Sequence, residues 1–391
     1  MNSTVNKTKI KVSVFSVAFA LGLNIAGVAP VLGVLSEVFK NQGSNLVQML
    51  QTVPYFLLMI VSIVVGWLVT KIPKKDLLLS GLLIVAFIGS APFIFNSFSF
   101  IMFSRLLVGL GFGIISPLNT AVISEFFEGD ERAGMMGLHV AGMGIGALVI
   151  NITGGIIGNI GYNYYFLIHL IAFFAAVIVL LQLPKTKPVS VNSSEKLELN
   201  RKVYELSITS FFHTIFITAF LTNIGIHVLN NINGNAGLTG IITAVNAGFA
   251  LLIGLNFRRI SSLLKNNTLP IAISLAAIGY FIISIFPNNL VVIFICSALC
   301  GASLSCFMAQ ASFMISTSVS NVSIALANGV FAMIGGLGGL LSPIVLNQIA
   351  EKVFGKASTN SVFLICAIGM TILSICTYII VIVRQKEAQL V

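Results

Sequence analysis

From Asn266 to Ala350 the chain carries no Asp, Glu, Lys or Arg, and shorter runs of the same kind recur along its length. An ordinary soluble domain has about 25% charged residues. Here 8% are charged and 57% are hydrophobic, with a mean hydropathy of +1.04. Such a chain cannot clothe a water-facing surface, so its main solvent is lipid. Backbone polar groups in lipid need internal partners, which leaves helices and closed barrels. Apolar runs that are long and continuous, rather than short and alternating, predict helices. The fold class is an all-α polytopic membrane protein.

At about 20 residues per crossing, twelve spans are predicted, near 12–37, 45–70, 76–95, 98–127, 132–158, 162–183, 204–229, 236–257, 268–287, 289–316, 324–350 and 360–383. The first apolar run is followed by many others, so it reads as a span and not as a cleaved signal. The most polar interruption is LPKTKPVSVNSSEKLELNRK, residues 183–202. Its Pro, Ser and charge content predicts a solvated linker, 184–202, between six-span halves at 1–183 and 203–391.

The net charge of +10 does not point to nucleic acid, because the basic residues sit in short loops. With the N-terminus inside, the inner segments hold Lys7, Lys9, Lys11, Lys71, Lys74, Lys75, Arg132, Lys185, Lys187, Lys196, Arg201, Lys202, Arg258, Arg259, Lys265, Arg384 and Lys386. The outer loops hold Lys40, Lys352 and Lys356. This asymmetry predicts cytoplasmic termini by the positive-inside rule. The cysteines (Cys296, Cys300, Cys306, Cys366, Cys376) all fall in apolar segments, without metal-site spacing, and read as packed thiols.

A repeat runs through both halves. Gly109, Gly137, Gly144 and Gly146 punctuate spans 4 and 5; an offset of 192 lands each on Gly301, Gly329, Gly336 and Gly338 in spans 10 and 11. Gly66 before its basic loop is matched by Gly254 before Arg258 and Arg259. A duplication of a six-helix unit accounts for this.

The pattern resembles the major facilitator superfamily of twelve-helix secondary transporters, over nearly the whole chain, and within it the bacterial drug/proton antiporter-like members. The family's loop between spans 2 and 3 is matched by Gly66, Lys71, Lys74 and Lys75, with Thr70 where the family has an acid and Pro73 in place of a second glycine. RLLVGLG in span 4 supplies Arg105, Gly109 and Gly111, and SEFFEGDERAGMMG follows it. In span 5, Gly146 precedes Gly154 and Gly155 as in the antiporter motif, but its Gly-Pro is absent; Ser342–Pro343 in span 11 keeps a proline. The resemblance implies two pseudo-symmetric six-helix bundles, one site near the midplane and alternating access. It also implies an inner gate of Lys71, Lys74, Lys75, Glu125 and Arg132, in which Glu125 pairs with Lys74, Lys75 or Arg132 across a closed inner face.

Arg105 is a strongly basic residue well inside a span, where burial in lipid is costly, so it should face the bundle interior. It is a candidate substrate-anion contact or a controller of a proton site; the structural alternative is a tether to carbonyls of a kinked neighbouring helix. Spans 1, 2, 7, 8, 10 and 11 lack a deep Asp or Glu: Glu37 lies at the outer end of span 1 and Asp76 at the inner start of span 3. Proton coupling would then fall to histidine, with His213 as candidate ahead of His139, His169 and His227; the alternative for His213 is a neutral core histidine bonded to a neighbour. Few carboxylates also argue against a sodium site. Glu128, Asp130 and Glu131 read as a water-facing turn.

Asn24, Asn119, Asn223, Cys306 and Gln310 in spans 1, 4, 7 and 10, with Asn151, Asn246 and Asn328, are candidate cavity residues; the alternative for each is an interhelical hydrogen bond. Gly22, Gly27, Gly33 and Pro30 in span 1, and Gly109, Gly111, Gly113 and Pro117 in span 4, are read as packing and bending positions, as are Gly66, Gly146, Gly154, Gly155, Gly338 and Pro343. There is no phosphate-binding loop, nucleophile set or metal cluster in the sequence. The expectation is therefore a monomeric plasma-membrane transporter, not an enzyme, without a cofactor. Its expected task is proton-driven efflux of a small amphipathic organic compound. The alternatives are transport of an anionic metabolite with Arg105 as charge partner, or a non-transporting receptor or scaffold.

Overall fold

The computed structural model describes residues 6–186, 199–319 and 324–390. Most of the expected linker, including Lys187 and Lys196, lies outside them, and so do the side chains of Asp130, Arg384 and Lys386. Among the described residues there is no strand. The spans are α1 (Lys7–Val38), α2 (Ser44–Leu68), α3 (Lys74–Phe93), α4 (Phe98–Phe126), α5 (Gly129–Ile160) and α6 (Tyr162–Gln182). They continue with α7 (Arg201–Ile232), α8 (Ala236–Leu264), α9 (Thr268–Ile285), α10 (Leu290–Ser316), α11 (Ile324–Phe354) and α12 (Thr359–Leu390). The continuous stretch Ala236–Ile285 is 50 residues long, twice what a bilayer needs. Lys265, at φ 50°, breaks it into α8 and α9, giving twelve spans among the described residues, with the start of α1 and the end of α12 on one face, called the inner face below. Relative to expectation, α7 and α8 are longer, because each projects past the apolar zone with polar ends.

Short polar side chains set the starts. Asn6, Ser97, Asn200, Asn235 and Asn289 accept from backbone N–H groups in the first turns of α1, α4, α7, α8 and α10. These caps satisfy donors that the helix itself cannot. Two buried cores follow. One, including Leu21, Phe112, Ile115 and Phe166, draws on α1–α6 with Ala236; the other, including Phe220, Tyr280, Phe307 and Phe363, draws on α7–α12. The chain thus folds as two six-helix halves.

The offset of 192 relates contacts as well as glycines. A Cβ on Gly109 of α4 would strike the Pro54 carbonyl of α2, and one on Gly301 of α10 would strike the Asn246 carbonyl of α8. Gly146 of α5 meets the Phe19 carbonyl of α1, and Gly338 of α11 meets the Phe211 carbonyl of α7. Across the seam, Gly144 faces Leu251 while Gly336 faces Met59. In each pair the two partners are themselves 192 apart. Gly33 of α1 and Gly225 of α7 also differ by 192, and they touch backbone to backbone on the pseudo-two-fold axis. Side-chain-free contacts of this kind let helices approach in lipid, where apolar surface alone does not drive association.

The seam is shut on the far face. Besides Gly33 and Gly225, a Cβ on Gly155 would lie 2.9 Å from Gly240 Cα, and the Gly237 amide donates to Asn159 Oδ1 at 3.0 Å. Towards the inner face the halves part: a Cβ on Gly66, Gly134, Gly137 or Gly329 would meet nothing within 4 Å. The conformation opens to the inner face.

Candidate functional site

The neighbourhood of Arg105 follows from Pro54. A proline has no N–H, so the carbonyl four residues earlier, that of Leu50, loses its helical donor. Arg105 Nε supplies one at 3.1 Å, and Gly109, one turn further along α4, is the gap through which α4 reaches the proline kink. Nη1 of Arg105 lies 3.3 Å from His169 Nε2, and His169 Nδ1 lies 3.0 Å from the Phe166 carbonyl. A carbonyl only accepts, so Nδ1 carries the proton and Nε2 offers its lone pair to the guanidinium. The arginine is 1% exposed and its described partners are neutral. The tether described as the structural alternative for Arg105 is therefore present in the geometry.

Around it, α1 breaks at Gly27 (φ 58°). Gln51 Oε1 accepts from the freed Val28 amide at 2.6 Å, and the Tyr165 hydroxyl donates to the Gly27 carbonyl. Arg105 is within electrostatic reach of the Tyr165 and Tyr55 phenols. Tyr55 is half-buried, and its ring lies 3.2 Å from a Cβ built on Gly339 of the opposite half. Tyr55 therefore links the electrostatic surroundings of Arg105 to the seam.

The repeat shows what the same place does in the other half. Leu50 and Arg105 correspond to Ile242 and Ser297, and Ser297 Oγ donates to the Ile242 carbonyl. Asn246, in the place of Pro54, donates to the Ser297 carbonyl at 2.9 Å. A neutral hydroxyl meets there the carbonyl that an arginine meets here.

His213 is fully buried within the second half. Its ring stacks on Phe307 at 3.9 Å, its Nε2 is 3.4 Å from Ser303 Oγ, and its Nδ1 has no protein partner. Several of the expected cavity residues make hydrogen bonds inside one half. Asn119 donates to the Val14 carbonyl at 3.1 Å and lies 2.8 Å from His139 Nδ1, tying α4 to α1 and α5. Asn246 binds Ser297 as above, and Gln310 accepts from Ser261 at 3.1 Å. Asn24 is half-buried. Asn223 lies on the far-face seam, bonded to Gln48 at 2.9 Å. Hydropathy alone does not reveal these assignments, because any one polar residue can turn to its own bundle or to the seam.

The expected gate residues lie at the inner ends of the first half. Lys74 Nζ pairs with Glu125 at 2.8 Å, but Lys75 donates to the Leu180 carbonyl at 2.8 Å and Arg132 to Ser124 Oγ at 2.7 Å. Lys71 is exposed. All these contacts stay in the first half, as do Lys7–Glu131 and Lys11–Glu131, while Lys185 at the start of the linker pairs with Asp76 of the same half. Among the described residues no ion pair crosses the inner face, because the halves are splayed there. A Cβ on Gly66, expected as a packing position, would meet nothing within 4 Å. Gly111 packs on Val85 and Gly81 of α3, Gly154 on Tyr165, and Gly155 on α8. Pro117 and Pro343 lie within continuous helices.

The residues missed in sequence were Tyr55, Gln48, Asn347, His169 as an arginine partner, and Ser297. The proline at Pro54 with Arg105 two spans later was the available signal for the tether.

The chain is similar to the "Probable nitrate transporter NarT" of Staphylococcus haemolyticus, 24% identical over 364 residues, covering 87% of this chain and 88% of that one. Its fold matches the POT family transporter PepTSo at a TM-score of 0.77, with 11% identity over 95% of this chain and 96% of that one. It also matches the nucleoside transporter NupG at 0.75, with 13% identity over 94% and 99%. The family model of the Major Facilitator Superfamily matches residues 14–205 and again 206–390. Two six-helix halves related by a repeat, together with that match across both, establish the chain as a membrane-spanning secondary transporter of the Major Facilitator Superfamily.

Proposed function

We propose that this transporter carries a small anion by alternating access. The observation that carries the reading is the unmatched charge of Arg105. Its hydrogen bond to a helix carbonyl is made in the other half by a neutral serine, so the charge exceeds what the tether requires. No Asp or Glu lies in the interior of any span, so nothing there neutralises it. A cation held in low dielectric sets a positive potential at the seam. Tyr55, within electrostatic reach of the guanidinium and against Gly339 of the opposite half, is the group through which a solute at the seam would feel it. The likeness to a nitrate transporter supports the same reading.

Proton-driven efflux of an amphipathic compound finds less support. The interior offers no carboxylate, and His213 faces Phe307 and Ser303 inside its own half. The excess of basic residues on the inner face supports cytoplasmic termini in a plasma membrane. Lys74–Glu125 and Arg132 are proposed to re-pair across the inner face when it closes. The unit is a monomer with halves 1–183 and 203–391 around the linker 184–202.

The test is exchange of nitrate, formate and phosphate in proteoliposomes, beside a hydrophobic amine under an imposed pH gradient. Saturable anion exchange is expected. Movement of the amine alone, dependent on that gradient, would refute the reading.

A further inference from the structure

At the far end of the seam a vestibule of about 420 Å³ lies between the halves. Its floor is Gln48, Asn223 and Asn347, and Glu37, Lys40 and Lys356 stand among its lining residues. Gln48 Nε2 donates to Asn223 Oδ1 at 2.9 Å, and Asn347 Nδ2 donates to Gln48 Oε1 at 2.9 Å and to Asn45 Oδ1 at 2.6 Å. Gln48 belongs to α2, and its two partners belong to α7 and α11. One buried side chain, 1% exposed, therefore pins the first half to two helices of the second.

The repeat shows that this latch is not a packing necessity. Gln48 and Asn347 correspond to Gly240 and Gly155, which close the α5–α8 seam at the same depth by backbone contact. Contact of that kind offers no side-chain donor, and the Gly237–Asn159 bond beside it is donated by a backbone amide. The α2–α11 seam is closed by amide groups whose N–H donors can change partner. Above them stand two of the three basic residues of the far-face loops, and among the described residues neither Lys40 nor Lys356 is in an ion pair.

We propose that this vestibule is an anion-docking site and that its floor is the far-face gate. A small anion gathered by Lys40 and Lys356 takes over the N–H donors of Gln48 and Asn347, since an ionised acceptor outcompetes a neutral amide oxygen. The latch between the halves is thereby released. This rests on the anion reading above.

The experiment places spin labels on Gln42→Cys and Asn288→Cys, at far-face loops of the two halves, in the full-length chain with its native cysteines replaced by alanine. The protein is held in lipid nanodiscs, and the inter-label distance is compared in potassium nitrate and in potassium gluconate of equal ionic strength. Nitrate should move population to longer distances. Gln48→Leu, and independently Asn347→Ala, should do so without nitrate, with size-exclusion profiles showing that each remains folded. Lys40→Gln with Lys356→Gln should raise the nitrate concentration for the half-shift about tenfold, the loss of two partly screened charges. Unchanged distances in both latch variants would overturn the gate. A nitrate shift indifferent to both lysines would overturn the docking site. Absence of anion exchange in proteoliposomes would instead overturn the reading on which it rests, and an intact nitrate shift would still uphold the vestibule.

Discussion

Replacing Arg105 by serine separates the tether from the charge, because the other half already uses serine at the corresponding position. Arg105 makes two described polar contacts, to the Leu50 carbonyl at 3.1 Å and to His169 Nε2 at 3.3 Å. Serine can keep the first, as Ser297 does with Ile242. Losing the second, and leaving His169 without its donor, costs about 1–3 kcal/mol, which lowers the thermal midpoint but leaves a folded protein. The charge is a separate quantity. At roughly 8 Å and an effective dielectric near 20, a unit charge attracts an anion by about 2 kcal/mol, a factor of about 30 in affinity. Arg105→Ser should therefore raise the half-saturation concentration for nitrate exchange about thirtyfold. Arg105→Lys should hold it within a few-fold while losing more thermal stability, because lysine cannot bond Leu50 and His169 as a fork. Both are read by initial rates in proteoliposomes and by thermal unfolding in detergent. An unchanged half-saturation for Arg105→Ser, or equal defects for serine and lysine, would refute the charge argument.

Gly146→Leu and Gly338→Leu should both abolish folded protein in size-exclusion profiles, since each forces a side chain into a backbone carbonyl of a neighbouring helix; survival of either would break the equivalence of the halves. Gly66→Ala meets no neighbour and should raise the thermal midpoint slightly, by helix propensity worth up to about 1 kcal/mol. Loss of transport in that variant with stability intact would show that the inner ends close on Gly66 in the opposite state. Glu125→Gln removes a pair whose side chains are 12% and 27% exposed; a partly screened surface pair of this kind is worth at most about 1 kcal/mol, and the loss should shrink in high salt. Hydrogen bonds from Lys7 and Lys11 hold the Glu131 carboxyl below its ordinary value of 4.5. Its contribution is thus present above pH 4.5 and lost as pH falls through the lowered value. Hydrogen exchange at the start of α1 should rise in that acid window, and Glu131→Gln should remove the pH dependence.

Much of the architecture is written in composition. Runs without charge fix the crossings, because lipid admits only helices with their backbone groups paired. The glycine register at 192 fixes the duplication, and it holds down to partners such as Phe19 and Phe211. Basic residues in alternate loops fix which ends lie together. The sequence could not say which way each polar side chain turns. These helices are apolar nearly all round, so no stripe marks the inward face. Asn119 turns to His139 and Asn223 to Gln48, though both read alike as isolated amides in a span. Arg105 was legible as costly and hence purposeful, but its partner depended on a proline two spans away. The pairing of Gln48 with Asn347, the open ends at Gly66 and Gly329, and the absence of a described inner-face ion pair all depend on how the two halves lean. That lean is a property of the seam between bundles, set by contacts between residues hundreds of positions apart, and only the tertiary structure decides it.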